Sequence, residues 1–459
     1  MYQRIINTYQ PPLYNVIMHF WLKFGTTEWW VRFFGVVMGF IGNIGIYKTT
    51  KKISNGFVAA GAVFCSSCVV QLVYYWQEAA EYCLMLATLC WTVYAFICLL
   101  EEQSLKNIIF FTIISILTVY SQYGAVFPVA VMLIIVYIIV LFKKDKKNII
   151  SMTVSYLAAL IFAAIPLIYF FLIKQMRRQQ SAGGQIAEES AAGNIFVNMF
   201  NGLKTTVLWN LVPHCHESVA MILTWIFIIC TVLFLIFSKK AYVKILAVTN
   251  IVTWLIYYVT VKKGLYSYGQ FGSRYNLFFI PLWLITIFCF GYEIYEIIKE
   301  NTQGKLKYLS FVYTGICLII AAAFMISGWT MKIQHNWIKE DMRGVVAKWE
   351  EVGAKDSHTI VYYGDNGTFA YYVRQLDDYS PDTEKNVDYM PWLRGRTVEE
   401  YKKYIDSIYG KDWPKEVCLI GVHRNEDINL IISAFTDNGY AREDLYNNYG
   451  MFAKLTYNE

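Results

Sequence analysis

Hydrophobic and polar positions divide this chain in two. Up to about residue 330, long apolar runs alternate with short polar joins. Beyond that point the runs shrink to strand length and Gly, Asp, Asn, Glu and Lys become common. Ten runs, near residues 31–47, 57–75, 82–100, 107–121, 125–142, 150–173, 219–237, 243–261, 275–297 and 308–329, are long enough, or nearly so, to cross about 30 Å of hydrocarbon as helices. Only Ser121-Gln-Tyr-Gly124 separates the fourth from the fifth. Ahead of the first run, Pro11 and Pro12 stop any helix arriving from Tyr9 and allow a new one from Leu13. Leu13, Ile17, Phe20, Trp21 and Phe24 then recur at helical spacing, while Asn15, His19 and Lys23 share another face. The stretch Gln10 to Arg32 therefore predicts an amphipathic helix lying on a membrane, followed by one that crosses it. Trp29, Trp30 and Arg32 stand where a membrane–water boundary is marked.

After residue 331 the pattern alternates. Residues 335–353, 397–410 and 426–440 predict helices, and 358–363, 416–423 and 451–457 predict strands. This reads as a polytopic helical membrane domain over 1–330, followed by a small α/β domain over 331–459. Gln179 to Gly193, rich in Gly, Ala and Ser, is the expected flexible segment.

Composition agrees with this division. Of the 459 residues 16% are charged, against about 25% in soluble chains, and mean hydropathy is +0.37. The net charge of +6 comes from lysines grouped between apolar runs, so membrane topology explains it and no nucleic-acid partner is expected. Lys48, Lys51 and Lys52 follow the first run, Lys143, Lys144, Lys146 and Lys147 the fifth, Lys239, Lys240 and Lys244 the seventh, and Lys299, Lys305 and Lys307 the ninth. All lie in every second join. By the positive-inside rule those joins are cytoplasmic, which puts the N-terminus, the turn at 77–81, the loops 174–217 and 262–274, and everything after 330 outside. The expectation is a multi-pass protein of the cytoplasmic (cell) membrane with its C-terminal domain outside. Met1 to Gln10 is polar and does not read as a cleavable signal peptide. Eight of the ten cysteines lie in apolar runs as small buried hydrophobes. Cys65-Ser-Ser-Cys68 has redox or metal spacing but sits inside a membrane run, where packing by small residues explains it better.

Four stretches stand out at the expected outer ends of helices. The first is Pro11-Pro12-Leu13-Tyr14, leading to Glu28-Trp29-x-x-Arg32. The second is Tyr74 to Tyr82, with Gln77, Glu78 and Ala79. The third is Val119 to Ala125, with Tyr120 and Tyr123. The fourth is Gly272 to Pro281, with Arg274 and Tyr275. Glu78 and Glu81 place two carboxylates in a tight turn against apolar helices, which can desolvate a carboxylate and raise its pKa. A solvated turn holding two helix ends in the headgroup layer is the plainer alternative. Arg274 can hold a lipid phosphate or pyrophosphate through charge-assisted hydrogen bonds; snorkelling would also place it there.

Taken in order, these stretches resemble the bacterial membrane glycosyltransferases of the dolichyl-phosphate-mannose-protein mannosyltransferase (family 39) type, which have the GT-C fold. The resemblance implies a glycosyltransferase that uses a polyprenyl-phosphate-linked sugar and moves it, by an inverting displacement, to a glycan, lipid or protein acceptor of the cell envelope. It implies Glu78 as the catalytic carboxylate. It also implies Gln10, Pro11, Pro12, Tyr14, Arg32, Gln77, Tyr82, Tyr123, Arg274 and Tyr275 as substrate-binding residues, with Arg32 and Arg274 serving the phosphate and the C-terminal domain helping to shape the acceptor site. No cofactor is assigned, and a divalent metal is left open. Three positions depart from the family pattern: Gln10 stands for histidine or lysine, Ala80 for arginine and Gln122 for histidine. The family's acidic residue of the first outer loop has no counterpart in Met1 to Gln10, so this sequence reads as lacking the preceding helix and loop. Two other classes stay open. A non-catalytic accessory protein that binds lipid-linked sugar fits the three departures. A transporter or flippase for the same lipids would call for charges near the midplane.

Weaker groups complete the inventory. His214-Cys-His-Glu217 offers four potential metal ligands without a partner cluster; Lys174, Arg177 and Arg178 form a basic group after the sixth run; Gly364-Asp-Asn-Gly367 follows a strand. A packed loop, headgroup anchoring and a plain turn explain these equally well or better.

Overall fold

A computed structural model describes residues 10–181, 195–211, 216–263, 271–301, 341–362, 366–391, 393, 397–422 and 425–458. The chain forms two compact units, 1–334 and 335–459. The fold class expected from the hydrophobic pattern is the one found: a multi-pass helical membrane protein with a small C-terminal α/β unit.

The membrane unit begins with α1 (Pro12–Trp21), whose first turn uses Pro12 where a missing N–H costs nothing. Next comes α2 (Glu28–Ile53), capped by Thr27, with Glu28 in its first turn and Lys51 and Lys52 in its last, as the helix dipole favours. The second apolar run is broken. It forms α3 (Gly56–Ser66) and α4 (Val70–Tyr75), so Cys65 and Cys68 flank a helix break. Then follow α5 (Tyr82–Glu101), α6 (Leu105–Ser121), α7 (Val126–Lys143) and α8 (Lys146–Arg177). Within α8 the winding widens at Leu160–Ala164 and Ile168–Leu172, on either side of Pro166, which cannot donate to the ladder. The unit continues with α9 (Ile195–Leu211), α10 (Glu217–Phe237), α11 (Ala241–Lys262) and α12 (Phe279–Asn301). α9 occupies part of what the sequence presented as a long loop.

Seven described helices are long and apolar enough to cross a membrane: α2, α5, α7 with the short turn before it, α8, α10, α11 and α12. α3 and α6 are apolar but shorter, because hydropathy reads through helix ends that the backbone does not ignore. The tenth run, 308–329, lies outside the described residues. α5 is the central helix, buried almost all round, whereas α8 leaves Ile150, Val154, Leu157, Ile161 and Phe162 exposed, as a lipid-facing helix would. α2 can approach α5 closely because Gly42 and Gly45 line the contact, while Gly35 and Gly39 face Trp76 in the turn ahead of α5. A Cβ at Gly35 would lie 2.5 Å from the Trp76 carbonyl oxygen, and one at Gly45 would lie 2.9 Å from the Cys90 Cβ. Buried hydroxyl and amide pairs join other helices: Thr92 with Thr118 (2.8 Å), Thr112 with Ser155 (2.8 Å), and Asn250 donating to Thr286 (2.8 Å).

Among the described residues, lysines of two joins pair across neighbouring helix ends. Lys52 pairs with Glu101 across the ends of α2 and α5, and Lys239 with Glu300 across α10 and α12. The four motif stretches lie at the opposite ends of these helices.

The C-terminal unit is a five-stranded sheet in the order β2-β1-β3-β5-β4. Its strands are β1 (His358–Val361), β2 (Val387–Tyr389), β3 (Glu416–Gly421), β4 (Tyr440–Asn447) and β5 (Met451–Tyr457). β1 pairs parallel with β2 and β3; β5 runs antiparallel to β3 and β4. Side chains alternate between two covered faces. Ile360, Val417, Leu419 and Leu455 enter one core; Val361, Cys418, Ile420 and Phe452 enter the other. Helices α13 (Met342–Glu351) and α14 (Asn366–Val373) cover the second core, and α15 (Val398–Tyr409) and α16 (Asn425–Thr436) the first. All three expected strands and three expected helices are present. α14, β2 and β4 are additions, β2 being too short and β4, on the sheet edge, too polar for a hydrophobic pattern to reveal.

Candidate functional site

The start of α1 is fixed from both sides. The Gln10 side-chain amide donates to Oε2 of Glu81 (2.8 Å), and the Gln10 carbonyl accepts from Nε2 of Gln175 (2.7 Å). Gln175 in turn accepts from the Tyr123 hydroxyl (2.7 Å). This chain of hydrogen bonds joins the entry segment, the turn before α5, the turn before α7 and the end of α8. At its other end α1 is fastened to α2 by two indoles. Trp21 and Trp30 stack at 4.6 Å, and each ring N–H donates to the other residue's carbonyl (3.0 and 3.1 Å). α1 thus forms where the sequence predicts a helix, but its buried residues are Pro12, Tyr14 and Met18, while Phe20 and Phe24 of the expected apolar face are exposed along with His19 and Lys23.

The second motif forms a tight turn. Gln77 and Glu78 both donate to the Tyr74 carbonyl (3.0 Å each), and Ala80 donates to the Glu78 carbonyl (2.9 Å). The Gly35 and Gly39 positions of α2 let Trp76 lie against the helix backbone, which sets the turn's height. Arg32 holds the rim: its Nε donates to Glu28 (2.8 Å) and its Nη1 to the Gln77 carbonyl (3.1 Å). The two carboxylates of the turn have different surroundings. Glu78 is half-buried, whereas Glu81 is 3% exposed. Burial pushes the Glu81 carboxyl up to about 7, with Glu78 adding to the rise and Arg274 and the hydrogen bonds opposing it.

The fourth motif brings the cation. Arg274 opens a short 3-10 turn (Arg274–Asn276) pinned by buried Asn276, whose amide donates to the Phe271 carbonyl (2.7 Å). Its guanidinium lies 5.8 Å from the Tyr82 ring centre and 5.5 Å from that of Tyr275. It acts electrostatically on Glu78 and on Glu81. Tyr82 also packs edge-on against Tyr75 (5.1 Å), and Tyr14 against Phe34 (5.9 Å). Burial raises the Tyr14 hydroxyl's pKa, with Cys83, Glu81 and Glu78 adding to it, so Tyr14 stays protonated and able to donate.

Of the residues the sequence singled out, Gln10, Tyr14, Glu78, Tyr82, Arg274 and Tyr275 gather around Glu81, with Tyr123 joined through Gln175. Pro11 and Pro12 are buried at the start of α1 and shape it. Arg32 and Gln77 stand at the exposed rim. Glu81 is the central carboxylate of the cluster, more so than Glu78; the turn's two acids and the desolvation open to them were visible in the sequence, and which of the two is buried was not. Gln175 left no signal beyond being a polar residue past an apolar run. Gln122, in place of the family's histidine, is buried beside Tyr123.

The weaker groups do not join the cluster. His216 caps α10 through Ser218, and Glu217 pairs with Lys204 (2.9 Å), while His214 and Cys215 lie outside the described residues. Among the described residues no three His, Cys, Asp or Glu side chains stand where they could hold a metal ion. Lys174 and Arg177 are exposed; the Arg178 side chain, and Gly364 and Asp365, lie outside the described residues.

The fold and this end of the bundle define a class: a multi-pass membrane protein with titratable and cationic groups gathered at helix ends. Residues 9–172, which hold three of the four motifs, match the sequence profile of the dolichyl-phosphate-mannose-protein mannosyltransferase family. The resemblance read from the motifs thus stands over that stretch. No curated protein matches the chain. Among solved structures the chain is similar to ArnT from Cupriavidus metallidurans in the apo state, at a TM-score of 0.48 and 10% identity, covering 97% of this chain and 87% of that one. It is also similar to ArnT bound to undecaprenyl phosphate, at a TM-score of 0.35 and 11% identity with the same coverage.

Proposed function

We propose that the chain is a glycosyltransferase that takes a sugar from a polyprenyl-phosphate carrier. The observation that carries this reading is Arg274, held between Tyr82 and Tyr275 beside two carboxylates, on a chain whose residues 9–172 match a lipid-phosphate-sugar transferase family. A guanidinium at a helix end, backed by aromatic faces, suits a phosphate monoester or diester. In the proposed reaction an acceptor hydroxyl attacks the anomeric carbon as the bond to the phosphate oxygen breaks. The lipid phosphate leaves with the electron pair toward Arg274. Glu78 is assigned to receive or orient the hydroxyl's proton. Arg32, bridging Glu28 and the Gln77 carbonyl, shapes the rim. By the lysine pattern the site faces outside the cytoplasmic membrane, and the acceptor is a glycan, lipid or protein of the cell envelope.

The test uses the full chain in lipid nanodiscs with a polyprenyl monophosphate as ligand and a polyprenyl-phosphate sugar as donor. Arg274→Ala is expected to lower lipid-phosphate affinity at least tenfold, and Glu78→Ala to lower transfer with binding retained. Transfer at the native rate in both variants overturns the site. Binding without any transfer in the native protein favours the accessory reading instead.

A further inference from the structure

The buried carboxylate of the turn has a consequence for the phosphate site. This inference rests on the reading of Arg274 as the phosphate contact. Glu81 is fixed on one oxygen by the Gln10 amide and is almost wholly removed from solvent. Among the described residues the groups that face it are Gln10 ahead of α1, Tyr14 of α1, Glu78 from its own turn, Tyr82 and Cys83 from α5, and Arg274 from the turn before α12. Tyr14 is protonated, which leaves Arg274, Glu78 and Glu81 to set the charge among these described residues. With Glu81 ionised, Arg274, Glu78 and Glu81 sum to −1, and an arriving phosphate meets net repulsion. With Glu81 protonated the sum is zero, and the guanidinium attracts the phosphate against one carboxylate instead of two.

We infer that Glu81 is a positioning residue of the phosphate site that takes up one proton when a polyprenyl phosphate binds at Arg274 and returns it when the phosphate leaves. Binding and proton uptake are then linked, so the affinity for phosphate falls as pH rises through the range in which Glu81 titrates. A phosphate monoester also gains charge with rising pH, and beside two carboxylates that added charge can weaken its binding too. The Glu81→Gln variant, in which the ligand still titrates, separates the protein group from the ligand. Glu81 also holds Gln10, so the same proton is read by the segment that starts α1.

The experiment is calorimetric binding of a polyprenyl monophosphate to the full chain in nanodiscs between pH 5.5 and 8.5, in two buffers of unlike ionisation enthalpy. The native protein is expected to take up close to one proton at pH 8 and to lose affinity by up to tenfold per pH unit above neutrality. Glu81→Gln keeps a side chain that can meet the Gln10 amide and is expected to bind at pH 8 at least as tightly as native protein, with no uptake. Glu78→Gln is expected to keep a pH-dependent fall. Equal uptake in native protein and Glu81→Gln, or a flat native profile with good binding, overturns the inference and leaves the phosphate site standing. No binding by native protein at any pH overturns both.

Discussion

Two glutamates are buried at opposite ends of the membrane unit, and they are built differently. Glu293 of α12, 2% exposed, receives the Ser238 hydroxyl on both oxygens (2.7 and 2.8 Å) and the backbone N–H groups of Lys239 (3.0 Å) and Lys240 (3.4 Å). It closes the join between α10 and α11, and Lys240 lies over the neighbouring Tyr292 ring (4.5 Å). Glu81 is buried as deeply, but its hydrogen bonds from the Gln10 amide, the Tyr82 side chain and its own backbone N–H do not offset that burial, and it shares Arg274 with Glu78. A buried carboxylate surrounded by donors is a structural rivet. One whose donors do not offset its burial has a proton equilibrium to spare. The lysine end is thus designed to stay put, and the motif end to respond to charge.

The sharpest way to break this contrast is to remove each carboxylate. Glu293→Ala takes the acceptor from the Lys239 backbone N–H and removes both bonds from the Ser238 hydroxyl, which keeps the Lys240 carbonyl and N–H, and is expected to cost about 3 kcal/mol of stability. Thermal unfolding in detergent measures this. Lipid-phosphate binding per folded molecule is expected to stay native, because Glu293 lies at the other end of the helices. A loss of binding without a loss of stability would reverse the roles assigned to the two ends.

Glu81 predicts a different signature. Its carboxyl titrates near 7 in the folded protein, against an ordinary value of 4.5. Between those pH values the folded state holds the proton that the unfolded state has released, so stability falls as pH rises and levels off above about 7. The full effect is on the order of 3 kcal/mol. Glu81→Gln removes that slope, and its melting temperature is expected to exceed the native value at pH 8 and to converge with it at pH 4. A native protein that gains stability over this range would show Glu81 to be an ionised, paired group.

The same contrast shows how much could be read from the sequence. Apolar runs, alternating lysines and the paired prolines were enough to foresee the membrane unit, α1 and the return to strands after residue 331, because each reflects a local rule of burial or capping. The break between α3 and α4 and the helix α9 were not foreseen. The first sits inside an unbroken apolar run, and the second inside a polar-flanked loop, so neither changes the hydrophobic pattern. At the site, motif residues such as Glu78, Tyr82 and Arg274 were named from the chain. Which carboxylate would be buried depended on Gly35 and Gly39 admitting Trp76, and on Gln175 reaching Gln10 from 165 residues away. Such long-range contacts have no local signature.

The mildest perturbation tests how the cluster is held together. Tyr123 donates to Gln175, whose amide supports the Gln10 carbonyl while the Gln10 side chain meets Glu81. Tyr123→Phe removes the first link alone and keeps the ring in place. It is expected to cost about 1 kcal/mol, the usual net worth of one neutral hydrogen bond. Gln175→Leu is expected to cost more, since it also frees the Gln10 carbonyl. If the links act as one chain, the double variant costs less than the sum of the singles in thermal unfolding, because the second change removes bonds already loosened. Strict additivity would mean that Gln10 is placed by Pro11, Pro12 and the Trp21–Trp30 pair without help from α8. The responsive end of the bundle would then be the turn at Glu81 alone, and the pH dependence of phosphate binding would survive in both single variants.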